Sequence, residues 1–133
     1  MLSYLLDTNV CIMAMRNPGD HVAARFKANA GTMCISTITL HELRFGADKS
    51  NRPAHQHEKV DDLVSRLEIL KFDDDAADQT GEINASLARK GQIIGAYDML
   101  IAGHARSRGL TVVTNNLKEF ARVEGLRCED RLA

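Results

Sequence analysis

Short apolar runs alternate along the chain with stretches in which apolar residues recur at helical spacing, the signature of a parallel sheet covered on both faces. Residues 2 to 6 form the first run and Thr32 to Ser36 the second. Ile69 to Phe72 is shorter, and Leu110 to Thr114 is the most β-like segment of all. Helices fall between them. Asn9 to Met15 reads as a short helix stopped by Asn17-Pro18-Gly19, and Asp20 caps another over His21 to Asn29, with Val22 and Phe26 four apart. Thr37 or Thr39 starts the next, in which Leu40, Leu43 and Ala47 share a stripe and Glu42 stands beside it, able to face a cleft. Pro53 opens a long polar helix with Val60, Leu63, Leu67 and Leu70 on its buried side. Asp73 to Asp75 supply the cap and first turn of a helix reaching Lys90 and closed by Gly91, and a further helix from Ala96 to Ser107 ends at Gly109. With neither linker nor repeat, the pattern predicts a single α/β domain over residues 1–133 around a central, mostly parallel sheet of four to five strands.

That pattern also places chemistry. Tyr4-Leu5-Leu6 ends in Asp7-Thr8-Asn9, Glu42 follows the second apolar run, and Asp98 sits at the head of the helix that begins at Ala96. A carboxylate at the end of a buried strand emerges at the sheet edge where open α/β folds keep their ligand crevice. The last strand repeats the geometry, delivering Thr114, Asn115 and Asn116 to the edge that holds Asp7. Oxygen ligands select Mg²⁺ or Mn²⁺, and such ions need only one or two carboxylates plus substrate phosphate and water. The expected chemistry is metal-assisted displacement at a phosphate ester.

Composition narrows the setting. At 133 residues, 44% hydrophobic and 26% charged, the chain matches a globular domain able to bury roughly two thirds of its unfolded surface. No apolar stretch approaches the roughly 20 residues needed to cross a bilayer, and Met1-Leu2-Ser3 lacks the basic start of a signal peptide, so a cytoplasmic location and no membrane partner are expected. Cys11, Cys34 and Cys128, odd in number and far apart, read as free buried thiols. A net charge of -1 gives no global attraction to nucleic acid, so a polyanion must be held locally. Arg44, Lys49, Arg89, Lys90, Arg106, Arg108 and Lys118 supply a candidate basic rim around the acids, against the plainer reading of solvated helix faces.

Other chemistries fail on spacing. Asp73-Asp74-Asp75 is followed by Ala77 and Asp78 where a calcium loop needs an oxygen ligand and Gly. His41-Glu42 could open a zinc-protease helix, but Phe45 stands where its second His belongs. His55 and His57 do not share a helix face, and His104 fits a packed or rim position. Gly91 and Gly95 flank Ile93-Ile94 without the Gly-Lys-Ser/Thr of a phosphate loop, so no nucleotide cofactor is expected.

Four segments carry a resemblance that spans nearly the whole chain: Leu-Leu-Asp-Thr-Asn at 5 to 9, Ile-Ser-Thr-Ile-Thr-Leu-His-Glu-Leu-Arg-Phe-Gly at 35 to 46, Tyr-Asp-Met-Leu-Ile-Ala-Gly-His-Ala at 97 to 105 and Val-Val-Thr-Asn-Asn-Leu-Lys-Glu-Phe at 112 to 120. The chain resembles a PIN domain and, within that superfamily, the VapC-type toxin ribonucleases of bacterial toxin-antitoxin modules. The resemblance implies a three-layer α/β/α fold and an Mg²⁺- or Mn²⁺-dependent endoribonuclease in which Asp7, Asp98 and Glu42 form the acidic, metal-binding site. Asn9 and Thr114 would orient ligands or water. Many PIN domains carry a fourth acid where this chain has Asn116, which implies one tightly held ion; Glu119, one turn later, would either compensate through water or face solvent near Lys118.

Similar enteric members cut initiator tRNA in the anticodon loop, and an unstacked RNA loop suits a cleft that must reach a phosphate. The resemblance further implies a homodimer and a VapB-type antitoxin that covers the active-site groove and alone contacts operator DNA. Ile12, Met13, Met15, Leu43 and Phe45 are candidates for the apolar groove that would receive it. A phosphatase of the haloacid dehalogenase type is excluded by Asn9, which stands where that family needs a second Asp. The alternative is a PIN-like module that binds RNA or protein without turnover.

Overall fold

The computed structural model describes residues 1–16, 24, 28–29 and 31–130. Five parallel strands form one sheet: β1 (Tyr4–Leu6), β2 (Met33–Ser36), β3 (Glu68–Leu70), β4 (Thr111–Val113) and β5 (Cys128–Glu129), in the order β3-β2-β1-β4-β5. The described helices are α1 (Thr8–Arg16), α2 (Thr37–Asp48), α3 (Pro53–Val64), α4 (Asp74–Arg89), α5 (Ala96–Arg108) and α6 (Leu117–Phe120). None is long and apolar enough to cross a membrane.

The central strands β1, β2 and β4 are buried on both faces, which makes them near-continuous apolar runs rather than alternating ones, whereas the edge strands β3 and β5 are partly exposed. Successive side chains point to opposite faces. Leu5, Cys34 and Val112 therefore join one core with Ile83 and Leu87 of α4 and Met99, Ile101 and Ala105 of α5. Leu6, Ile35 and Val113 join the other with Val10 and Cys11 of α1, Leu43 of α2 and Val60 and Leu63 of α3. The expected three layers with a sheet of four to five strands are thus present, and the sheet is parallel throughout.

Local signals set most boundaries. The Asp73 side chain accepts from the Ala76 N–H at the start of α4, and Gly109 closes α5 in the left-handed conformation at φ 65°. Helix α2 starts at Thr37, one of the two expected starts, with Ser36 as its cap accepting from the Ile38 N–H. Two expectations shift. Helix α3 stops at Val64, so Leu67 lies beyond it and Leu70 belongs to β3. Cys128 is only half-buried, whereas Cys11 and Cys34 are buried; all three are free thiols. The expected stop at Asn17-Pro18-Gly19, the Asp20 cap and most of the helix expected over His21 to Asn29 lie outside the described residues.

Helix α5 is locked in place by a close approach. A Cβ on Gly103 would lie 1.9 Å from Thr80 Oγ1 and 2.8 Å from Thr80 Cα of α4, so only glycine allows this contact, and a Gly103→Ala change would cost about 1–3 kcal/mol by overpacking. His104 follows it in the core, its Nδ1 2.8 Å from the Ser36 hydroxyl at the head of α2 and its ring edge-on to Phe72. The two helices that carry Asp98 and Glu42 are thereby tied together.

Candidate active site

In this strand order, connections leave β1 toward one side of the sheet and reach β4 on the other, so the topological switch lies between β1 and β4, and a crevice opens beyond their carboxyl ends. Asp7 follows β1 and Thr114 follows β4, and the ladder continues one step past the strands through the Asp7 N–H donating to the Val113 carbonyl at 3.0 Å. The Thr114 hydroxyl donates to Asp7 Oδ2, while Oδ1 accepts from the Val10 N–H at 2.9 Å. Asp7 is 2% exposed. Burial pushes its carboxyl above the ordinary carboxylate range, against the two hydrogen bonds, and the charges of Glu42 and Asp130 add to the rise.

Glu42 enters from α2, half-buried, its Oε1 accepting from the Thr8 hydroxyl at 2.6 Å. Asp98 lies in the first turn of α5, whose cap is Gly95; it is not itself the cap. Burial pushes its carboxyl up to about 6, followed by its hydrogen bond with Glu119, the Glu119 charge, and the charges of Asp7 and Glu42. Glu119 belongs to α6, where Asn116 Nδ2 donates to Glu119 Oε2 at 2.7 Å and reaches Asp98 Oδ2 at 3.5 Å. The Asn116 N–H in turn donates to Thr114 Oγ1 at 2.8 Å.

The cleft thus brings together Asp7, Glu42, Asp98, Thr114, Asn116 and Glu119, while Asn9 is exposed on the first turn of α1. Among the described residues no lysine or arginine pairs with any of the four acids. Their donors are oxygen only and their charges uncompensated, a set that fits a hard divalent cation. They share the cleft without closing on one point: among the described residues, no three His, Cys, Asp or Glu side chains are grouped tightly enough to cage an ion unaided.

Two participants escaped the sequence reading. Thr8, next to Asp7, holds Glu42, and its hydroxyl after an acid at a strand end was the available signal. Asp130 acts on Asp7 from just beyond β5, a strand of two residues with no hydrophobic run to reveal it.

For Arg44, Lys90, Arg106 and Arg108 the basic rim is corrected. Arg44 pairs with Asp61 at 2.6 Å, Lys90 with Glu124 at 2.6 Å, and Arg106 donates to Gln79 and the Glu124 carbonyl. Arg106 and Arg108 occupy the last turn of α5, roughly 12–15 Å along its axis from Asp98. These cations serve other contacts because the helices carry them away from the sheet edge. The apolar groove is corrected in part. A cavity of about 150 Å³ is lined by Ile12, Met15, Leu43 and Val60 together with the polar Arg16, Glu42, Gln56 and Lys59, but Met13 and Phe45 do not line it.

Residues 4–126 match the PIN domain family model. Over 130 residues the chain is 54% identical to the tRNA(fMet)-specific endonuclease VapC of Salmonella typhimurium, covering 98% of both, and 45% identical to Ribonuclease VapC2 of Haemophilus influenzae at the same coverage. Among solved structures it resembles the DNA-bound VapBC of Salmonella typhimurium, with a TM-score of 0.95 and 98% of each chain covered. It also resembles the promoter-bound VapBC2 of Rickettsia felis, with a TM-score of 0.92, 39% identity and 97% and 98% coverage. The strand order, the acids gathered at the switch between β1 and β4, and these full-length matches agree: the chain belongs to the PIN domain family and stands with its VapC relatives.

Proposed function

We propose that this chain is the toxin of a toxin-antitoxin pair, a divalent-metal-dependent endoribonuclease that cleaves tRNA, with the anticodon loop of initiator tRNA as its first candidate substrate. The observation that carries the reading is the 54% identity over 98% of both chains to a tRNA(fMet)-specific endonuclease, with the acids of that shared length meeting in one cleft. Asp7, Asp98 and Glu42 would hold Mg²⁺ or Mn²⁺, with waters completing the shell as such ions prefer. The ion supplies a Lewis acid that activates water and stabilises the leaving oxygen.

This chain's own groups do the aiming. Thr114 and the Val10 N–H fix both oxygens of Asp7, Thr8 fixes Glu42, and Asn116 holds Glu119 against Asp98. All are neutral donors, which orient a carboxylate without cancelling its charge. Asn116 supports one firmly held ion, and Glu119 acts on the site through Asp98 and water. Asn9, exposed beside Asp7, orients water or substrate.

The groove between α1, α2 and α3 suits an apolar antitoxin segment of the VapB type, because a chain seated on Ile12, Met15 and Leu43 also meets Glu42 and so blocks the cleft. Operator DNA is then reached through the antitoxin, the toxin works as a homodimer, and its place is the cytoplasm. Incubating the pure chain with total tRNA, with and without EDTA, and repeating with Asp7→Ala tests the reading. Cutting that needs added metal and vanishes in the variant supports it; cutting that survives EDTA or Asp7→Ala overturns it, and a metal-loaded chain that binds but never cuts is the binding module instead.

A further inference from the structure

The rim of the cleft carries an aromatic feature that neither core uses. Tyr97 precedes Asp98 and His41 precedes Glu42, so the two residues flank acids delivered by different helices. Their side chains meet across the gap. His41 Nε2 lies 3.2 Å from the Tyr97 hydroxyl, and the ring centroids are 5.8 Å apart at 47°. Both are exposed, Tyr97 to 46%, and neither belongs to either hydrophobic core. One helical turn beyond His41, Phe45 is 57% exposed with Lys49 Nζ 5.0 Å from its ring centroid. His41 and Phe45 on α2 and Lys49 at its C-terminal cap recur every four residues and therefore share one face.

This arrangement has no structural purpose that burial explains. Among the described residues, one Tyr and one Phe, Tyr97 and Phe45, are exposed, and both stand on helices that carry the acids. Exposed aromatic faces next to a site that handles a polyanion are what single-stranded nucleic acid stacks on, with a nearby cation tracking the backbone. The contact from His41 holds the Tyr97 ring in place, so little freedom is lost when a base lands on it.

We propose that Tyr97, braced by His41, is the stacking platform for an unpaired base next to the scissile phosphate, and that Phe45 and Lys49 continue the track for the adjoining nucleotide. The inference rests on the ribonuclease reading above and deepens it by assigning how the single-stranded substrate is gripped. A platform of this kind is tolerant of base identity, because every base has a π-face.

The test pairs kinetics with a direct optical signal. With the anticodon stem-loop as substrate, Tyr97→Ala should raise KM about tenfold, the scale of losing one base–aromatic stack, while Tyr97→Phe, which keeps the ring and loses only the hydroxyl that meets His41, should raise it no more than about threefold. An abasic nucleotide placed beside the cut bond should erase the difference between Tyr97→Ala and the parent. Because the chain has no tryptophan and only Tyr4 and Tyr97, a short single-stranded oligoribonucleotide should quench tyrosine emission in EDTA, and Tyr97→Phe should abolish that quench. Cleavage with unchanged KM in Tyr97→Ala, or a defect that persists on abasic substrate, would overturn the platform and leave the nuclease standing. Quenching by RNA with no cleavage under any metal would keep the platform and remove the tRNA nuclease. If Tyr97→Ala cuts normally but escapes inhibition by the antitoxin, the pair is a protein contact and the inference is wrong.

Discussion

At the cleft, Asp7, Glu42, Asp98 and Glu119 face one another with neutral donors only, whereas away from it Asp61, Asp62, Glu82 and Glu124 each meet a cationic partner in Arg44, Arg66, Arg106 or Lys90, and Asp48 meets His57. Their proton affinities diverge accordingly. Asp98 is pushed up to about 6, while its hydrogen bond and ion pair with Lys90 hold Glu124 below the ordinary range. The paired cations Arg44, Arg66, Arg106 and Lys90 thus serve acids away from the sheet edge. What accumulates there is negative charge that is oriented but not neutralised, and it destabilises the metal-free fold until a cation arrives.

The largest expected effect comes from removing that charge. Asp7→Ala or Asp98→Ala should lower tRNA cleavage roughly a thousandfold, about 4 kcal/mol of barrier, measured as single-turnover rates at saturating Mn²⁺. The thermal shift produced by Mn²⁺ should vanish with it, since a ligand stabilises only the state it binds.

Smaller is the loss of the neutral donors. Thr114→Val or Asn116→Ala leaves the acids present but loosely aimed, and activity or Mn²⁺ affinity should fall about 10- to 100-fold, the usual scale for groups behind metal ligands. An equal loss in Lys90→Ala would erase the distinction between the two regions.

The pH dependence sharpens it further. A carboxyl raised in the folded state contributes stability that is complete below its unfolded value near 3.8 and lost as pH rises through about 6. His104, whose buried ring is pushed below 6.5, acts in the opposite sense, contributing stability above that value and losing it as pH falls. Melting of the EDTA-treated chain mixes these with the raised Asp7 carboxyl, so the informative quantity is the difference from Asp98→Asn. The variant should gain on the parent between about pH 4 and 6 and keep that gain at neutral pH. A flat difference would show that Asp98 is not desolvated. Metal affinity of the parent should also weaken below about pH 6, where Asp98 is protonated.

The smallest effect belongs to the paired acids. Breaking the exposed Lys90–Glu124 pair with Lys90→Ala should leave cleavage unchanged and melting nearly so, because solvent screens such pairs.

Runs such as Leu110 to Thr114 and caps such as Asp73 and Gly109 made the strands, most helix ends and the α/β class legible in the sequence, because backbone conformation and burial pattern act over a few residues. Among the candidate acids, Asp7 stood out at the end of β1 and Asp98 at the head of α5, and Glu42 stood out beside the apolar stripe of α2. Strand β5 was not legible, since two residues carry no periodicity. The basic rim failed for a related reason: nearness in sequence to Asp98 says nothing about which way a helix carries a residue, and α5 carries Arg106 and Arg108 to its far end. Only the tertiary structure joined Thr8 to Glu42, Glu119 to Asp98, Asp130 to Asp7 and His41 to Tyr97, because contacts between segments dozens of residues apart depend on the order in which strands pair. The sequence by itself determined which acids the chain possesses and at which ends of its elements they stand. The pairing of β1 with β4 decided that they face one crevice, where burial and mutual repulsion turn separate carboxylates into a single centre of unbalanced charge.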